Sequence, residues 1–121
     1  ESYCDMHHAS AMGLFKSNSS AEYVSYVMPQ EHGNHFNTHM LTVGDMCFEG
    51  DGFDFNISDY STDMLTAAMH TDELKKDGLV HLRIDYKASG IGSNSCGPHL
   101  NWKYCLHEKE FCFKFDMRHA E

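Results

Sequence analysis

The clearest signal in the sequence is a period-two alternation of apolar and polar positions, the spacing that sends successive side chains to opposite faces of a β-strand. It is sharpest over residues 80–87, where Val80, Leu82, Ile84 and Tyr86 alternate with His81, Arg83, Asp85 and Lys87. Phe53, Phe55 and Ile57 alternate with Asp54 and Asn56. Phe111, Phe113, Phe115 and Met117 do so with Cys112, Lys114, Asp116 and Arg118. Each run predicts a strand with its apolar set turned inward. A weaker alternation from Glu22 to Met28, ended by Pro29, predicts another strand. So does the run from His39 to Val43, which Met46 to Phe48 extends past a bend at Gly44.

Between these runs lie breaker signals. Residues 1–21 read as an irregular lead-in ending in the loop Ser17-Asn18-Ser19-Ser20, and residues 30–37 as a polar connection around Gly33. Gly50-Asp51-Gly52 and Leu74 to Gly78 predict turns. Residues 61–70 form the one helical pattern. Ser61 or Thr62 can cap it, Asp63 suits its positive end, and Met64, Leu65, Ala68 and Met69 share a face. The run from Gly90 to Pro98, with three glycines and a proline, predicts a long shaped loop. Five or six strands with one short helix near 61–70 predict an all-β chain, an antiparallel β-sandwich.

Composition narrows the function classes. The 121-residue length allows one domain or part of one, and the net charge of -9 argues against nucleic acid, which demands clustered Lys and Arg. No apolar run approaches the roughly eighteen residues of a membrane helix, and Glu1 to Asp5 lacks the features of a signal peptide. Without an initiator Met the chain is expected to begin inside a longer one. Five cysteines, an odd number with no CxxC pair, predict reduced thiols and a cytoplasmic setting, one or two disulfides being the alternative.

Chemistry-bearing residues are numerous but not focused. Ten histidines include His32, His35 and His39 at short spacing, yet no Cys pair or HExxH frame accompanies them, so loop and surface roles are expected and no metal site. Glycosidases use paired carboxylates, and of the acidic residues only Glu31, beside a shaped loop, stands out. Asp54 and Asp85 are expected on the polar faces of strands. Residues 92–97 fail the Gly-x-Ser-x-Gly elbow, and Cys96 with His99 three positions on is a weak nucleophile pair. No catalytic residue is assigned.

Several segments in register carry a resemblance. Tyr26 to His35 resembles the "Y-x-x-P-Q-E-N-G-N-R" segment near the end of the large bacterial β-galactosidases of glycoside hydrolase family two, with His32 and His35 where Asn and Arg are common. Phe53 to Ser61 is similar to their "F-x-F-N-x-S-x-Y" strand and helix entry. Leu65 to Leu74 resembles "L-x-x-A-x-H-x-x-E-L", and Gly90 to Pro98 resembles "G-x-G-x-x-[SD]-[WC]-[GS]-P".

The resemblance implies that residues 1–121 are the C-terminal part of the last domain, a supersandwich-like antiparallel β-sandwich. The parent would hydrolyse terminal β-D-galactosides of the lactose type with retention. Its catalytic glutamates and magnesium, and its sodium if it uses one, would lie outside this segment, which itself would hold no cofactor. The loop carrying Ser95 and Cys96 would line the acceptor end of the sugar site, with Cys96 where the best-known members place a stacking Trp. Implied partners are the remaining domains and a β-galactoside at the domain border. An isolated segment, with its faces uncovered, is expected to self-associate. The alternative is a separately encoded small subunit or a free-standing carbohydrate-binding sandwich, which an exposed row of Trp and Tyr would favour; Trp102 is the only Trp.

Overall fold

The computed structural model describes residues 13–89 and 97–120. Its framework is a four-stranded antiparallel sheet built from β1 (His35–Val43), β2 (Met46–Ser58), β3 (His81–Asp85) and β4 (Phe115–His119). With two helices, α1 (Ser19–Glu22) and α2 (Thr62–Ala67), and short 3₁₀ turns, this is an all-β fold consistent with one layer of a sandwich. The 13-residue β2 organises it. β1 pairs along one edge of β2. The other edge takes β4 opposite Met46–Gly50 and β3 opposite Asp54–Ser58.

Local chemistry explains most boundaries. β1 and β2 meet in a two-residue turn at Gly44 and Asp45, where Gly44 adopts φ +60 at no Cβ cost. Ser61 caps α2 by accepting a hydrogen bond from the Met64 N–H at 3.2 Å, and Asp63 sits in its first turn. The helix stops at Ala67, short of the span expected to residue 70, and a 3₁₀ turn follows at Thr71–Glu73.

Other expectations are corrected. The lead-in does not end in a loop, because Asn18 accepts a hydrogen bond from Ala21 N–H and starts α1. The alternating run to Met28 is not a strand: no described strand pairs with it, and Val24, Tyr26 and Val27 are exposed. Gly50-Asp51-Gly52 does not turn the chain. β2 runs through it, and the pairing with β1 slips between Thr38 and Met40 instead. Gly52 permits this with φ +109, and a Cβ there would lie 2.6 Å from Asn37 Oδ1. The last strand is only Phe115–His119, and Phe111 and Met117 are 61% and 63% exposed rather than inward. The described residues leave most of these two side chains uncovered.

Among the described residues the apolar core is small, and Cys47, Phe48, Phe53, Leu65 and Ala68 are its buried members. A continuous series of rings extends it. Phe48 and Phe53 approach Phe115, which touches Phe113, and Tyr86 stacks on Phe111 with centroids 4.4 Å apart. Cys47, Cys105 and Cys112 are free thiols.

Candidate functional site

Adjacent strand residues point to opposite faces, yet Phe53 and Asp54 are both buried, so the middle of β2 is covered on both sides. This corrects the expectation that Asp54 lies on a solvated face. Its Oδ1 accepts the Asn37 N–H at 3.1 Å, and its Oδ2 accepts the Ala88 N–H at 2.7 Å and the Asn34 carboxamide at 3.5 Å. Burial pushes its pKa up, and these three donors offset the rise only in part. Asp54 thus ties the start of β1 to the segment leaving β3.

A second polar cluster forms where the connection after Pro29 meets α2 and β3. The Arg83 guanidinium reaches Glu31 Oε1 through Nη1 at 2.5 Å and Asp85 Oδ2 through Nε at 2.8 Å. Thr62 Oγ1 donates to the same Glu31 Oε1 at 3.0 Å. Burial opposes the Arg83 charge, but the two carboxylates more than compensate and raise its pKa. Beside this network lies an open recess of about 530 Å³, walled by Glu31, Arg83, Asn56 and Tyr60 and by the apolar Leu65, Val80 and Leu82. Asn56 donates to the His32 carbonyl, which holds the connection against β2.

Next to Tyr60 in the chain, Asp59 accepts from Ser20 Oγ at 2.5 Å and pairs with Lys76. Lys76, with Ser19 and Ser20, holds the Asp59 carboxyl well below the usual range. A carboxylate with a depressed folded pKa contributes stability that is complete above its unfolded pKa, about 4, and lost as pH falls below it. Asp59→Asn should therefore flatten the acid side of the stability curve and lower stability near neutrality. Thermal midpoints from about pH 7 to about pH 3 would read this; unchanged acid slopes would contradict it.

The structure separates the other candidates. His35 pairs with Glu22 at 2.9 Å and stacks on Phe55, His32 lies against Tyr23, and His39 is exposed, so the three do not converge. Among the described residues no three His, Cys, Asp or Glu side chains are grouped to hold a metal ion. Ser95 and Cys96 lie outside the described residues, and His99 is exposed. Trp102 is exposed and stacks on His107 with centroids 4.1 Å apart. No described helix is long and apolar enough to cross a membrane. Glu31 stands out in the sequence only as an acidic residue beside a shaped loop, and Arg83 only as the polar side of a strand; neither signal joins the two.

Comparison with known proteins adds a family likeness. A family model described as beta galactosidase small chain matches residues 1–117. A β-galactosidase of Actinobacillus pleuropneumoniae is 41% identical over 118 residues, which cover 97% of this chain and 12% of that protein. One from Kluyveromyces lactis is 38% identical over 97% of this chain and 12% of its own length. One from Staphylococcus xylosus is 39% identical over 77% of this chain and 10% of its length. The chain thus spans about 12% of the length of the first two relatives.

Proposed function

Because this chain belongs to the beta galactosidase small chain family, we propose that it is a non-catalytic part of a β-galactosidase, an accessory β-sandwich segment that supports the catalytic remainder. The observation that carries this reading is coverage: the relatives named β-galactosidase match nearly all of this chain with about 12% of their own length. A part so small leaves the reaction to the rest of the polypeptide.

In this reading, residues 1–121 are the C-terminal portion of the last sandwich domain of a cytoplasmic glycoside hydrolase family two enzyme that hydrolyses terminal β-D-galactosides. The catalytic glutamates and the magnesium, with any sodium, belong to the remainder. Ser95 and Cys96 line the acceptor end of its sugar site. A thiol at residue 96 offers a smaller and less directional contact than an indole would, so the acceptor site is wider there. The exposed apolar side chains of β4, with Phe111, face the missing domains, and in their absence drive self-association. The family description as a small chain also favours a second reading, a separately encoded subunit that completes a larger chain.

Nitrophenyl β-galactoside hydrolysis tests the assignment. The purified chain is expected to be inactive and the longer product that contains it active; turnover by the chain alone would overturn the proposal. Restored activity on mixing with a separately expressed large chain would select the subunit reading. Sedimentation of the chain at high concentration is expected to show oligomers, and an exclusively monomeric species would refute the uncovered-face argument.

A further inference from the structure

The Glu31–Arg83 recess is not used by the reading above, and its unfilled hydrogen-bonding capacity is specific. The Thr62 hydrogen bond and the nearest Arg83 contact both fall on Glu31 Oε1, and Oε2 accepts no hydrogen bond among the described residues. Arg83 spends Nη1 on Glu31 and Nε on Asp85, which leaves the Nη2 N–H groups as donors without a described partner. One wall therefore presents a strong acceptor beside strong donors, held in place by the ion pair between them. Leu65, Val80 and Leu82 form an apolar wall, and Tyr60 adds an aromatic edge.

An anion could satisfy Nη2 but would meet Glu31 and Asp63 in the lining, where His81 is already paired with Asp77, on a chain whose net charge is -9. An ammonium could satisfy Oε2 but would face the Arg83 guanidinium. A hydroxyl both donates and accepts, and two on neighbouring carbons would serve Oε2 and Nη2 together while their C–H face lies on the apolar wall. The recess, about 530 Å³, is open to solvent and has room for a sugar-sized molecule.

We infer that this recess binds a neutral polyhydroxyl ligand, a sugar or sugar alcohol, through Glu31 and Arg83. The site is built from residues other than Ser95 and Cys96 and does not depend on whether the longer protein acts on galactosides. Its open form and few apolar contacts place the affinity in the millimolar range, weak by the standard of enclosed pockets.

The test is amide-resolved NMR titration of the chain with lactose and, separately, with mannitol. Both are expected to shift the Thr62, Leu82 and Arg83 resonances saturably in the millimolar range. Glu31→Gln and Arg83→Lys should each weaken binding about tenfold, the scale of one charge-assisted hydrogen bond. Val80→Trp, which fills the recess without touching the ion pair, should abolish it. The assignment is overturned if no saturable shift occurs, if acetate or ethylammonium shifts the same amides at equal concentration, or if Val80→Trp binds normally. Binding requires no turnover, so an inactive longer protein would refute the galactosidase reading and leave the recess standing, and a silent titration would do the reverse.

Discussion

Phe53→Ala is expected to cost about 3–5 kcal/mol, the scale for truncating a buried aromatic side chain. Phe53 is 1% exposed, sits in the middle of β2 and lies against Phe115 of β4 with ring centroids 6.4 Å apart. Its removal opens a cavity where two strands of the sheet meet, and the surrounding backbone is held by pairing on both edges, so collapse into the gap is limited. Whole domains are stable by only about 5–15 kcal/mol, and a core this small belongs at the low end. The variant should therefore be largely unfolded under mild conditions. Met117→Ala, on the uncovered side of β4, should change stability by less than about 0.5 kcal/mol in a dilute, monomeric sample. Urea unfolding followed by near-ultraviolet circular dichroism would measure both, and a Phe53→Ala loss under about 1 kcal/mol would refute this account of the core.

Asp54→Ala has the second largest expected effect, about 2–3 kcal/mol, because two backbone donors, Asn37 N–H and Ala88 N–H, lose a charged acceptor at once. Part of that loss is offset, since the wild-type fold buries a carboxylate whose pKa is raised mainly by desolvation. The offset has a pH signature. A carboxylate with a raised folded pKa binds more protons in the folded state, so its contribution declines as pH rises from its unfolded pKa toward the folded one. Asp54 thus acts in the opposite sense to Asp59, and the deficit of Asp54→Ala should be larger in mildly acidic solution than near neutrality. Hydrogen exchange should locate the damage. The Ala88 amide should lose protection while the amides paired between β2 and β4 keep theirs; uniform loss across the sheet would mean that Asp54 serves the whole fold rather than this junction.

The two residues show how far the sequence could be read. Phe53 was legible because Phe53, Phe55 and Ile57 alternate with polar neighbours, and alternation reports a half-buried strand. That signal hides Asp54. On a sheet with one solvated face its polar neighbour would be exposed, but residues 34–37 and Ala88 cover the second face, and no local pattern encodes that cover. The same holds for Arg83, which reads as the polar side of a strand until Glu31, some fifty residues away, comes to rest against it.

Local sequence encoded the all-β class, a helix start at Ser61 or Thr62 and the family likeness, because caps and strand periodicity act over a few residues. Gly44, which reads as a bend within one strand, instead closes the hairpin between β1 and β2. Tertiary structure alone decided which alternating runs became strands. Residues 23–28 alternate as the β3 region does, yet only the latter found β2 to pair with, and a strand's backbone is satisfied only by a neighbour. It also decided which apolar residues are core. Phe53 and Met117 both belong to apolar faces by period, but burial requires a covering layer, and the described chain supplies one for Phe53 and leaves most of Met117 uncovered.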